Sequence, residues 1–227
     1  MTFVDTLAFQ LFTLAIVSGL LFYSGVIGYF TYRRYGARRT LEHLKGQAVP
    51  LGGIGVVIFS IGMWGEIAWP LPGSYNILFF DPYLLLGVVL MGFAISVMLS
   101  RPTQYVGFFA AMVGLLSMYY GVSAYQAGLT KEPLTMLFLY VALGGTALFT
   151  FPVTLWLDRM VMSPSVVGAS QATDTAGGTS PAMGPMSTTV KILVGGFLLF
   201  LLFAAGSAIL AIIIGGGALP SHLIYAP

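Results

Sequence analysis

The sequence predicts an all-α integral membrane bundle of six transmembrane helices, with both termini outside the cytoplasm. Three observations predict it. Hydrophobic residues fill 58% of the 227 positions and charged ones only 7%, whereas a soluble domain carries roughly a quarter charged residues. The apolar residues gather into runs at least as long as the roughly 18 that read as a bilayer span. Between these runs, Lys and Arg fall almost wholly on alternate connections.

The first span covers residues 6–32 and is closed by Arg33, Arg34, Arg38 and Arg39, a cluster too polar for lipid. A cleavable signal peptide carries its charge before a shorter apolar stretch, so this segment reads as a retained helix. The second span, 50–69, stops at Pro70-Leu71-Pro72-Gly73, because proline supplies no N–H and restricts the residue before it. Residues 71–82 then read as an external loop. A third span, 83–99, turns at Ser100-Arg101-Pro102-Thr103 into a fourth, 104–126. Gly128 to Pro133 breaks the pattern before a fifth span, 134–157, in which Pro152 predicts a kink.

From residue 158 the composition shifts to Ser, Thr, Gly, Ala and Pro. Such a stretch buries too little apolar area to offset its ordering entropy, so 158–189 reads as a flexible cytoplasmic loop, or one that a partner orders. The sixth span, 190–214, is the most apolar. Gly215-Gly216-Gly217 and Pro220 are expected to end it, leaving an outer tail with His222. The organisation is thus a five-helix bundle (1–157), the loop (158–189), and a final helix with its tail (190–227).

Alternating six spans across the bilayer puts Arg33, Arg34, Arg38, Arg39, Lys45, Arg101, Arg159 and Lys191 on one side and Lys131 alone on the other. That eight-to-one split places the arginine side in the cytoplasm. The protein is therefore expected to be multi-pass, with the arginine-bearing connections facing the cell interior.

Composition also excludes chemistry. With no cysteine, the chain can hold neither a disulfide nor a thiolate metal site. A net charge of +2 gives no reason to expect nucleic acid. The two histidines, His43 and His222, fall on opposite sides of the membrane and cannot share a metal. The eleven methionines are dispersed through the spans, which suits packing rather than soft-metal binding. No metal site and no cofactor of the chain's own is expected, although the spans leave room for a bound lipid or quinone. Glycines spaced along spans one, two, four and six, such as Gly52, Gly55 and Gly62 or Gly107, Gly114 and Gly121, predict close helix contacts.

The candidate binding residues gather towards the outer side. Glu66 sits about one turn inside the end of its span, where an ionised carboxylate is costly unless paired or hydrated. An interfacial carboxylate reaching for water would also account for it. Trp64, Tyr75, Asn76, Asp81 and Tyr83 surround it in sequence, Tyr119, Tyr120, Tyr125 and Gln126 come from the fourth span, and Lys131 is a possible counter-charge. Together they could line an outward-facing polar cleft. No nucleophile and base pair is visible, so no catalytic residue is expected.

The strings Trp69-Pro70-Leu71-Pro72-Gly73-Ser74-Tyr75-Asn76-Ile77, Asp81-Pro82-Tyr83, Tyr119-Tyr120-Gly121 and Tyr125 to Pro133 resemble a family of uncharacterised archaeal and bacterial membrane proteins, catalogued as a domain of unknown function. The resemblance covers spans two to five and implies a small, multi-pass protein of prokaryotic plasma membranes without a known activity. The leading expectation is a non-catalytic accessory subunit of a larger membrane complex, such as a respiratory or redox assembly, with the bilayer and other membrane-protein subunits, or further copies of itself, as partners. The alternative is a small-solute channel or carrier, with a lipid- or quinone-binding enzyme ranked below both.

Overall fold

In the computed structural model, residues 6–161 and 188–225 are described. They form five helices and, among the described residues, no strand. These are α1 (Thr6–Ala68), α2 (Ser74–Met98), α3 (Gln104–Gln126), α4 (Pro133–Met160) and α5 (Thr188–Tyr225). All five contain stretches long and apolar enough to cross a membrane. The chain is therefore a helical membrane bundle. The expected loop 158–189 falls mainly outside the described residues.

α1 does not run straight. At about 1.5 Å per residue a continuous helix would hold Leu21 and Leu51 roughly 45 Å apart, yet both wall one cavity. The reversal occurs at Gly36, whose φ of 78° and ψ of −173° are non-helical and open chiefly to glycine. Val17 of the first half and Leu51 and Ile58 of the second belong to one core cluster with Tyr83 and Leu90 of α2. The sequence suggested a loop between its first two spans, but the break is confined to Gly36 and residues 37–49 are helical. Polarity keeps that segment out of lipid without forbidding helix. Arg38 and Arg39 both pair with Glu42 at 3.4 Å across one helical turn, a spacing that supports helix. Pro50 lies inside α1.

Two further boundaries differ from expectation. The loop expected at 71–82 shortens to residues 69–73, because α2 begins at Ser74 and takes Asp81 and Pro82 inside it. Pro82 cannot bond the carbonyl four residues back, that of Leu78. The buried Tyr140 hydroxyl of α4 donates to that carbonyl at 2.5 Å, supplying the lost partner. α5 continues through Gly215-Gly216-Gly217 and Pro220 to Tyr225 rather than stopping there. Gly215 is held against Leu11 and Phe12 of α1, so tertiary contact carries the helix through a weak sequence.

The helices contact in a closed circuit, α1 to α2, α2 to α3, α3 to α4, α4 to α5 and α5 back to α1. Small residues let the backbones approach. A Cβ on Gly114 would stand 2.5 Å from the Gly144 carbonyl oxygen, one on Gly62 2.7 Å from Leu84 Cα, and one on Gly107 1.9 Å from Thr154 Oγ1. Gly19 and Gly195, expected to join such faces, have nothing within 4 Å.

Candidate functional site

Three side chains from three helices converge at the end of the bundle formed by the 69–73 and 127–132 connections. Glu66 comes from the last turn of α1, Asp81 from the third turn of α2 and Tyr120 from α3. The Tyr120 hydroxyl donates to Asp81 Oδ2 at 2.7 Å. The Asp81 carboxyl stands within hydrogen-bond reach of the half-buried Glu66, and the enclosed Glu66 Oε1 has no other partner among the described residues. Two adjacent carboxyl groups at the edge of an apolar bundle are satisfied by a shared proton or by a cation placed between them. Lys131, the counter-charge expected from the sequence, is exposed, and no ion pair joins it to Glu66 among the described residues.

The other candidates separate into four groups. Asn76 is fully buried and bridges within the chain, donating through Nδ2 to the Gly65 carbonyl at 3.1 Å and accepting at Oδ1 from the Leu71 N–H at 3.3 Å. With the amide engaged at both ends, it clamps the 69–73 connection. Tyr75 is partly exposed and its hydroxyl donates to the Leu129 carbonyl, tying α2 to the turn before α4. Trp64, Tyr119, Tyr125 and Gln126 are exposed, with Trp64 set edge-on to Phe80 and Tyr119 tilted against Tyr120.

Tyr83 is buried and faces inward, sharing a 2.7 Å hydrogen bond with Thr13 Oγ1. It also lines a cavity of about 50 Å³ with Gln10, Ser117 and Tyr140, among leucines of α1 and α4. Gln10 is only 3% exposed and its Nε2 has no partner. A space of this size holds a few waters, and the amide and hydroxyl groups supply the polar contacts that bound water needs. Among the described residues, no group of three or more His, Asp or Glu side chains is placed to hold a metal ion.

A family described as "Protein of unknown function (DUF981)" matches residues 1–224. The chain belongs to this family. The match extends beyond spans two to five to the whole of α1 and nearly all of α5. No curated protein and no solved structure matches the chain.

Two features of this DUF981 bundle were not visible as sites in its sequence. Gln10 lies in an apolar run with nothing beside it to suggest a cavity. Asp158, which the sequence placed at the start of a loop, instead caps another helix. Its Oδ1 accepts from the Thr103 N–H and Thr103 Oγ1, and its Oδ2 from the Gln104 N–H, each at 2.8 Å. These are the first donors of α3, which Thr103 leaves uncapped. Only the intervening hydrophobic pattern, which brings the end of α4 beside the start of α3, could have hinted at this pairing.

Proposed function

We propose that this DUF981 protein binds a small cationic solute at an outward-facing site made by Glu66, Asp81 and Tyr120, and acts as a carrier or receptor for it in a prokaryotic plasma membrane. The observation that carries the reading is the enclosed Glu66 Oε1, which has only a second carboxyl group, that of Asp81, beside it. A carboxylate pair is a cation's ligand set, and Tyr120 fixes one member of the pair through its hydroxyl.

In this reading each half of α1 crosses the bilayer, giving six crossings. The halves on either side of Gly36 are each about 45 Å long at 1.5 Å per residue, enough for a core of about 30 Å. The arginines around Gly36 lie in the cytoplasm and the Glu66 end faces outward, with both termini on the outer side.

Titration calorimetry of the purified full-length protein with sodium, potassium, magnesium and methylammonium tests the site. Saturable binding of at least one cation is expected, weakened tenfold or more by Glu66→Gln and by Asp81→Asn. No saturable binding, or binding untouched by Glu66→Gln, would refute it.

A second reading, an accessory subunit of a larger membrane complex, is favoured by α5. Only 22% of its apolar span is buried inside the bundle, against 39% in each other helix, leaving Leu198, Leu202, Ile209 and Ile213 exposed to lipid or a neighbouring subunit. Gentle extraction from native membranes separates the readings. A lone 24.2 kDa chain with nothing co-purifying would defeat the subunit reading, and a co-purified quinone would favour a quinone-binding role.

A further inference from the structure

We propose that the reversal around Gly36 is a binding site for the phosphate head group of an anionic phospholipid. Between residues 33 and 45 the chain carries five cations, Arg33, Arg34, Arg38, Arg39 and Lys45, and Glu42 is the one acid. Arg33 and Arg34 close the first half of α1 and Arg38 and Arg39 open the second, so the reversal at Gly36 gathers all four at one end of the bundle.

Two of these arginines are held without a carboxylate. The Arg33 guanidinium lies 5.9 Å from the centre of the Tyr29 ring, and that of Arg34 lies 5.3 Å from the Tyr35 ring. Neither makes an ion pair among the described residues. A ring positions a guanidinium through its face and leaves the planar N–H donors free, which is the geometry that binds a phosphate with paired hydrogen bonds. Tyr35, whose ring holds Arg34, also lines a cleft of about 430 Å³ with Thr31, Arg39, Glu42 and His43. It is wide enough for a head group.

The neighbouring surface selects a lipid over a soluble phosphate. Tyr29 carries Arg33 on its face and also walls an apolar cavity of about 60 Å³, with Trp156, Phe197 and Phe200. Tyr29 stacks on Phe197 at 5.7 Å, and Tyr32 meets Trp156 edge-on at 5.0 Å. Cationic groups therefore border an aromatic and aliphatic surface at the end of the apolar spans, the depth at which head groups meet acyl chains. Among the described residues the opposite end of the bundle has Lys131 as its one Lys or Arg and carries Glu66, Asp81 and Glu132.

The test uses the full-length protein in nanodiscs of equal parts phosphatidylglycerol and phosphatidylcholine, with the lipids retained after detergent extraction counted by native mass spectrometry. Phosphatidylglycerol is expected to be enriched at least tenfold in the retained lipid. Each of Arg33→Gln, Arg34→Gln and Arg39→Gln should lower the enrichment by up to roughly fivefold, and the triple variant should abolish it, while Lys131→Gln leaves it unchanged. Because a variant could insert wrongly, the unaltered protein is also extracted at about 0.05 and 0.5 M salt, and the enrichment should collapse at the higher value. Equal retention of the two lipids by the unaltered protein, enrichment that survives in the triple variant, or enrichment indifferent to salt would overturn the proposal. Displacement of the lipid by millimolar inorganic phosphate or glycerol phosphate would assign the site to a soluble anion instead, and overturns it equally.

Discussion

Replacing Asp158 by alanine removes a carboxylate from the start of a helix to which it does not belong. Three hydrogen bonds of 2.8 Å are lost, two to backbone N–H groups and one to the Thr103 hydroxyl. The hydroxyl has a fallback in the Thr154 carbonyl, 3.4 Å away. Thr103 is fully buried, so its N–H would be left without water, at a cost of about 1–3 kcal/mol. Gln104 is only half-buried, so water can reach its N–H and the further cost is the ordinary loss of a cap, about 1 kcal/mol. The expected total for Asp158→Ala is about 2–4 kcal/mol. Asp158→Asn keeps one oxygen for Thr103 but turns an NH2 group towards the Gln104 N–H, and should cost about 1–2 kcal/mol. On the usual scaling for a chain of this size, about 2–4 °C per kcal/mol, alanine lowers Tm by roughly 5–15 °C. Thermal unfolding in detergent, followed by tryptophan fluorescence, reads this difference. A loss below about 0.5 kcal/mol for Asp158→Ala, or equal losses for the two variants, would show that α3 does not depend on a cap lent by α4.

Gly62→Ala would force a Cβ to within 2.7 Å of the Leu84 backbone, and overpacking of that kind costs about 1–3 kcal/mol or more. Gly53→Ala meets nothing within 4 Å and should be neutral or stabilising by up to about 1 kcal/mol; titration with SDS distinguishes the two. Gly36→Ala places a Cβ at φ 78° and should cost about 1–3 kcal/mol. The chain has no native cysteine, so a Leu21→Cys/Leu51→Cys pair can report the reversal by crosslinking, fast in the parent and slowed by Gly36→Ala. Tyr140→Phe strands the Leu78 carbonyl that Pro82 has already deprived of its helical partner and should lower stability by about 1–3 kcal/mol, whereas Tyr125→Phe, at an exposed position, should change nothing measurable.

Helix and membrane character were legible because both follow from composition along the chain. Each long apolar run must satisfy its own backbone in hydrocarbon, and helix is the local way to do so. The limits of α3 match the sequence reading at both ends, since turns rich in proline and glycine flank it. Boundaries failed where local signals were ambiguous. Pro82, Pro220 and the Gly215 run look like breaks in sequence, but in the bundle a tyrosine hydroxyl replaces a lost hydrogen bond at Pro82 and close packing seats Gly215. The arginine segment looks like a loop, but only Gly36 leaves the helix.

The candidate site was legible in part for the same reason. Glu66 stood out because a carboxylate so near lipid is costly wherever it lies, and that is a local property. That Asp81 and Tyr120 join it, that Asn76 is a clamp, and that Asp158 caps a helix more than fifty residues away are consequences of which helix ends meet. By itself the sequence determined the solvent, the helical state of the backbone and the side of the bundle on which charge accumulates, all set by each residue's transfer energy. The tertiary structure alone decided which polar groups find one another, because hydrogen bonds and close carboxyl contacts act over a few ångströms, and only packing brings distant residues that close.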